Sequence, residues 1–359
     1  MSNDEQTIRA AAATIAPPDE AAIAAAAARL NSLTKPPGSL GRLEELALQL
    51  AGATGSARPV LDRKAVVVMA ADHGVCAEGV SAYPPEVTAQ MVLNFLRGGA
   101  AVNVLAAQAG ADVHCVDIGV NAELSHPGLL ARKVRPGTAN MTVGPAMSRS
   151  EAAAAVRTGI VLAGELAGQG YRVLATGEMG IGNTTASAAL MCVLAGYTPE
   201  QSVGLGTGID ETRRGHKIET VARAIACNAP KASDALDALA KVGGLEIAGL
   251  AGLMLGAAGQ RLPVVVDGFI STAAALVALR LAPGLRPYLI ASHQSGEQGH
   301  RLLLESLGLR PPLQLDMRLG EGTGAVLCLH LLEAAVRVLD EMATFAEAGV
   351  SDKDELKER

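Results

Sequence analysis

The chain is 359 residues long, 49% hydrophobic and 2% aromatic, with no tryptophan and a formal net charge of -6. That length suits one large α/β domain with a smaller lobe, or two domains. The acidic balance and scarce aromatic platforms argue against nucleic acid, so any bound phosphate must be held locally. The five cysteines, free of CxxC spacing, read as small core residues in a reducing cytoplasm.

The Ala-rich start, interspersed with Asp4, Glu5, Asp19 and Glu20, lacks the basic stretch and apolar run of a signal peptide. Residues 19–33 read as a helix, Thr34 to Gly41 as a rigid Pro/Gly turn and 42–53 as a second helix, giving an N-terminal helical segment over 1–60. From Lys64 the pattern changes: the valine-rich run 65–70 predicts a strand buried on both faces, and similar runs recur at 111–118, 171–176, 262–266 and 288–291. Most lead through a Gly-containing loop into an Ala-rich helix, the pattern of βαβ units. The fold expected is therefore α/β, a mostly parallel Rossmann-like sheet covered by helices over 61–324.

The apolar stretch 243–259 is too short, and too broken by Glu246 and glycines, to span a membrane. The stretch 325–348 reads as a helix docking on the N-terminal helices, so that 1–60 and 325–359 form a small accessory lobe ending in a solvated charged tail. In such sheets ligands gather at the carboxyl ends of the strands. The loops there are 72–90, 177–185, 204–217, 267–272, 292–300 and 320–324.

Glu321 stands among glycines in Gly320-Glu321-Gly322-Thr323-Gly324, after a strand-like 313–319 and before an apolar helix, and is placed like a catalytic base. The turn from Gly177 to Thr185 offers backbone N–H groups, the Thr184 and Thr185 hydroxyls and a helix start. Gly177, Gly180, Gly182, Asn183 and Thr184 could there cradle a phosphate, or form an ordinary capped turn. The segment around Gly206 adds flexible backbone, and Lys217 could supply the positive charge such a site needs. No GK[ST] follows and the third glycine of a dinucleotide fingerprint is missing, so hydride chemistry is weakly supported.

Val264 to Thr272 superficially resembles the ribose-phosphate loop of diphosphate-using phosphoribosyltransferases but lacks their second acidic residue, against a magnesium-diphosphate donor. Asp72-His73-Gly74 and Ser292 to His300 hold ligand-type residues without metal-site spacing and read as loop hydrogen bonding, so no metal is expected. The loop Ser81 to Gln90 is suited to line a flat apolar ring, or is a Pro-stiffened surface loop.

Taken in order, Thr34 to Gly41, Ala71 to Val75, Gly98 to Asn103, Gly177 to Thr185, Ser292 to His300 and Gly320 to Gly324 resemble the nicotinate-nucleotide:dimethylbenzimidazole phosphoribosyltransferase family, over about 20–345. The resemblance implies transfer of 5-phosphoribose from nicotinate mononucleotide to 5,6-dimethylbenzimidazole, giving α-ribazole 5'-phosphate for the lower ligand of cobalamin, by a homodimer with no metal or cofactor. It also implies Glu321 as base with Glu178 beside it, Gly177, Gly180, Lys217 and Ser295 around the phosphate, and Ser81, Tyr83, Gln90, Met179 and Leu319 around the benzimidazole. Another lower-ligand base as acceptor, a nicotinamide-dependent oxidoreductase and a non-catalytic nucleotide sensor are the competing readings.

Overall fold

The computed structural model describes residues 2–206, 208 and 210–351. Thr207 and Ile209 of the glycine loop, and the tail 352–359 expected to be solvated, lie outside the described residues. Strands β1 (Lys64–Ala71), β2 (Ala111–Gly119), β3 (Leu129–Ala131), β4 (Val173–Met179), β5 (Val264–Val266) and β6 (Leu289–Ala291) form one sheet in the order β3-β2-β1-β4-β5-β6, with every neighbour parallel. The chain runs outward from β1 to β3 and then outward again from β4 to β6. A crevice therefore opens where the direction reverses, at the carboxyl ends of β1 and β4. A separate two-stranded pair joins β7 (His293–Gln294) and β8 (Leu313–Gln314).

The buried run of β1 shows why continuous apolar strands form here. Ala65, Val67, Met69 and Ala71 enter one core and Val66, Val68 and Ala70 the other, so both faces need apolar side chains. Helices Asn3–Thr14, Arg149–Gly168, Asn183–Ala195, Leu245–Gly259 and Phe269–Leu281 share the first core. Helices Glu20–Ser32, Arg42–Thr54, Val87–Leu96, Ala101–Ala109 and Thr323–Glu341 share the second. Within that layer the two ends of the chain meet: Arg29 Nε donates to the Leu339 carbonyl at 3.1 Å, and Thr34 N donates to the Ala343 carbonyl at 3.1 Å. Helix Thr323–Glu341 packs directly against β4 and β5, and helix Glu20–Ser32 packs on it and on helix Arg42–Thr54.

Helix Leu245–Gly259 is buried on all sides, as a helix apolar all round but for Glu246 in its first turn demands. It approaches helix Arg149–Gly168 so closely that a Cβ on Gly252 would strike the Val156 carbonyl oxygen, and one on Gly256 would lie 2.7 Å from the Ile160 carbonyl oxygen. No described helix is long and apolar enough to cross a membrane.

Several boundaries differ from expectation. The strand-like 313–319 yields only the two residues of β8, because Asp316 takes a left-handed φ of 53° and turns the chain away. The expected turn at 177–185 starts later: β4 continues through Gly177 and Glu178 to Met179, paired with β1. The helix expected over 325–348 is two, Thr323–Glu341 and Phe345–Ala348, parted by extended backbone at Met342 and Thr344, where Thr344 bridges to Leu33. Edge strand β3, three residues long, has no counterpart among the expected strands.

Candidate active site

The carboxyl ends of β1, β4, β5 and β6 surround a cavity of about 620 Å³, within the range of small-molecule sites. Its floor is acidic. Gly320, Glu321 and Gly322 adopt φ of 87°, 63° and 96°, so Glu321 is held left-handed between two glycines that reach that region without penalty. The turn is clamped by Asp267 at the end of β5: Gly322 N donates to Oδ2 at 3.1 Å and Ala325 N to Oδ1 at 2.9 Å. These donors belong to the start of helix Thr323–Glu341, where a carboxylate is favoured. Thr176 Oγ1 accepts in turn from Asp267 N at 3.0 Å, which ties the clamp to β4.

The buried Glu321 carboxylate accepts from Val102 N at 3.4 Å. Burial raises its pKa above the usual carboxylate range; the Val102 N–H opposes this and the Asp267 charge adds to it. Glu178 is also buried. Burial pushes it up to about 8, with repulsion from Asp267 and Glu246 adding to the rise, while the Asn183 amide, donating to Oε2, holds it back. The site thus offers one carboxyl that is neutral near pH 7 and a second whose pKa burial also raises.

Glu178 has a consequence for stability. Because its folded pKa lies above its unfolded one, the native state holds a proton that the unfolded state releases between about pH 5 and 8, so this carboxyl loses stability as pH rises through that window. Glu178→Gln is therefore expected to exceed the parent by about 1–3 kcal/mol at pH 8, with the gap closing by about pH 5. Denaturant melts across that range check it, and a gap that widens toward acid would contradict the assignment.

At the other end lies a cationic corner. Lys217, on helix Glu211–Asn228, is buried, and its ammonium donates to Thr184 Oγ1 at 2.6 Å. Burial draws its pKa down to about 8, against the attraction of Glu297. Glu297 is raised by burial, and its Oε2 has no hydrogen-bond partner. Beside Lys217 the turn Gly180-Ile181-Gly182 exposes backbone to a second cavity of about 60 Å³. Ile181 is fixed from both sides: its N donates to Thr88 Oγ1 at 3.1 Å, and its carbonyl accepts from Cys76 Sγ at 3.0 Å.

Of the residues singled out from sequence, Glu178, Met179, Gly180, Asn183, Thr184 and Gly206 line the larger cavity together with Tyr83, Ser295, Leu319 and Glu321. Ser81, Gly182 and Lys217 line the smaller one. Gly177 lies inside β4, its Cα packed beneath the Glu321 carbonyl, and borders neither. Gln90 is exposed on helix Val87–Leu96, whereas Val87 and Met91, one turn apart, face the cavity. Asp267, Glu297, Arg318, Val87 and Met91 were not named as site residues from sequence, although Asp267, Glu297 and Val87 lie in the segments 264–272, 292–300 and 81–90 weighed there. Asp267 alone left a local sign, an acidic residue followed by glycine between an apolar strand and a helix. Among the described residues no group of three or more His, Cys, Asp or Glu side chains is placed to hold a metal ion; His73 of the loop after β1 instead pairs with buried Glu246 at 2.8 Å.

Comparison with known proteins adds the following. Residues 15–350 match the family described as phosphoribosyltransferase, DBI type. Nicotinate-nucleotide–dimethylbenzimidazole phosphoribosyltransferase of Chloroflexus aggregans is 58% identical over 328 residues, spanning 91% of this chain and 93% of that one. The protein of the same name from Geobacter sulfurreducens is 55% identical over 328 residues, with the same coverage of 91% and 93%. The crystal structure of CobT from Thermus thermophilus superposes with a TM-score of 0.89 at 56% identity, covering 92% of this chain and 99% of that one.

Proposed function

The chain belongs to the nicotinate-nucleotide–dimethylbenzimidazole phosphoribosyltransferase family, and we propose that its cavity carries out that transfer with Glu321 as the proton acceptor. The observation that carries this reading is the pairing of a buried carboxylate on a clamped turn, in a largely apolar cavity, with a cationic, glycine-lined corner in the smaller cavity that adjoins it at Gly180, Asn183, Thr184 and Gly206. One ring nitrogen of dimethylbenzimidazole attacks C1' of nicotinate mononucleotide. The C1'–N bond breaks, its electron pair neutralises the pyridinium, and nicotinate leaves. The second ring nitrogen of the acceptor gives its proton to Glu321. Attack opposite the leaving ring inverts the anomeric carbon from β to α and forms α-ribazole 5'-phosphate.

Because the leaving group departs as a neutral ring, the remaining task is to align two flat rings, which a walled cavity supplies. Lys217, Thr184 and the backbone of Gly180 and Gly206, with Ser295, are the donor-phosphate contacts in this reading. Tyr83, Met179 and Leu319, joined by Val87 and Met91, form the acceptor wall. Glu178, protonated near neutrality, is a hydrogen-bond donor beside the base rather than a rival to it.

Lys217→Met is accordingly expected to raise the KM for nicotinate mononucleotide by about 10- to 100-fold, the cost of a charge-assisted hydrogen bond, with a smaller change in kcat. An unchanged donor KM in steady-state assays would remove Lys217 from the phosphate site. The deciding experiment for the function is nicotinate release from nicotinate mononucleotide with and without dimethylbenzimidazole. Release that depends on the acceptor supports the transfer, and nucleotide binding without release supports a sensor. A homodimer working in the cytoplasm goes with the same reading, in keeping with the five free cysteines; light scattering from the purified chain at one chain mass would overturn the dimer.

A further inference from the structure

Lys217 reaches the phosphate corner from helix Glu211–Asn228, whose first turn is tied by Arg214 to the Val203 and Glu200 carbonyls at 3.0 Å each. Farther along, the helix is also held from the side, by the turn Gly74–Glu78 that follows β1. His216 Nε2 bonds to the Glu78 backbone carbonyl at 2.6 Å, and Arg223 Nη2 donates to Glu78 Oε2 at 2.6 Å, both from this helix. Glu78 Oε1 accepts from Asn140 Nδ2 at 2.7 Å and Thr142 Oγ1 at 3.0 Å, while Asn228 Nδ2 at the far end of the helix donates to the Met141 carbonyl at 2.7 Å.

The same turn grips the glycine cradle through Cys76 Sγ and the Ile181 carbonyl. One five-residue segment thus spans from the backbone that receives a phosphate to the helix that delivers its countercharge. We propose that Glu78, which lines neither the larger nor the smaller cavity, is a positioning residue that sets Lys217 against the Gly180-Ile181-Gly182 turn; the inference rests on reading that corner as the donor-phosphate site.

Held to about pKa 2 by the Asn140, Arg223 and Thr142 bonds, Glu78 stays ionised throughout the working range. The groups facing Lys217 are Thr184 from helix Asn183–Ala195, Glu297 from the segment before helix Gln298–Leu307, and Cys76 from the turn itself. Cys76 is pushed up to about 11 by burial and remains a neutral thiol, so pH acts at this corner through Lys217 and Glu297.

The test is Glu78→Ala in the full chain. Lys217, less tightly held and wetter, should raise the KM for nicotinate mononucleotide by about ten-fold while kcat and the KM for dimethylbenzimidazole stay within about two-fold. The alkaline limb of kcat/KM for the donor should move upward as Lys217 regains water, and Glu78→Gln, which keeps an acceptor for Asn140 and Thr142, should recover part of the donor KM. A donor KM within about two-fold of the parent, or a uniform loss in all constants with the limb unmoved, would overturn the role.

If Glu78→Ala does not fold, His216→Ala takes its place. It removes only the surface bond to the Glu78 carbonyl, and a donor KM raised by about three-fold is the supporting result, an unchanged one the opposing result. Should the parent release no nicotinate at all, the functional reading fails separately. Calorimetric titration with inorganic phosphate then decides the positioning role, weaker binding by Glu78→Ala supporting it and equal binding refuting it.

Discussion

Glu321→Gln is expected to lower kcat by about a hundred- to ten-thousand-fold, the span typical of a removed general base, while binding of nicotinate mononucleotide stays near the parental level. The carboxyl is buried and raised above its usual range, so turnover by the parent should climb with pH through that raised value as the base ionises. Glu178, pushed up to about 8, is mostly protonated near neutrality and supplies no second base there. Glutamine keeps the shape and loses the titration, so the acidic limb of the pH-rate profile should vanish with the activity. Parental kcat with an intact acidic limb would take Glu321 out of the mechanism.

A companion variant separates catalysis from folding. Glu321 is a non-glycine residue at φ 63°, a conformation that costs an L-residue roughly 1–2 kcal/mol. Glu321→Gly relieves that strain and the burial of a carboxyl, against a gain in unfolded-state entropy that costs a similar amount. Its melting temperature should therefore equal or exceed that of the parent while its turnover disappears. A marked fall in stability would mean that the side chain holds the turn together, rather than being held by it.

The second large effect lies far from the cavity. Gly252→Val is expected to cost about 3 kcal/mol or more, because the added carbon falls on the Val156 carbonyl oxygen, where neither backbone can yield without parting helices Leu245–Gly259 and Arg149–Gly168. Gly164→Ala on the latter helix is the control. A Cβ there meets nothing within 4 Å, so the change should gain about 0.5–1 kcal/mol from helix propensity and chain entropy. Equal denaturant midpoints for Gly252→Val and the parent would show that the seam opens freely.

Much of this architecture is written locally. β1, β2, β4, β5 and β6 each lie within or overlap an apolar run, because a strand buried on both faces cannot hide its composition. β3 lies at the sheet edge, with only three partly exposed residues, and carries too little pattern to be read. The two carboxylates and the glycine cradle were legible for a related reason: glycine announces where backbone must turn or approach something closely. That signal does not mark where a strand stops, and Gly177 and Glu178 proved to be the last stretch of β4 rather than the first of the turn.

What stayed hidden depends on convergence in space. Asp267 meets the Glu321 turn across 55 positions of sequence to Gly322 and 58 to Ala325. Val87 and Met91 face the cavity through the rotation of their helix, which no motif records. Arg318 comes to the corner because Asp316 bends the chain, so that its guanidinium donates to the Gly206 carbonyl at 3.3 Å.

The two halves of the cavity differ in what they are fastened to. Glu321 and the Gly180-Ile181-Gly182 turn are fastened to β4 and β5 and to helix starts, whereas Tyr83 and Leu319 stand about half exposed, at 51% and 52%, on loops. A change at Asp267 or Thr176 must disturb the interior, but a change at Tyr83 or Leu319 exchanges one rim side chain for another with little loss of packing. With Tyr83 and Leu319 as the proposed acceptor wall, taste for one ring over another should drift across generations, or be rewritten in a small library of rim variants, while the chemistry beneath is inherited intact.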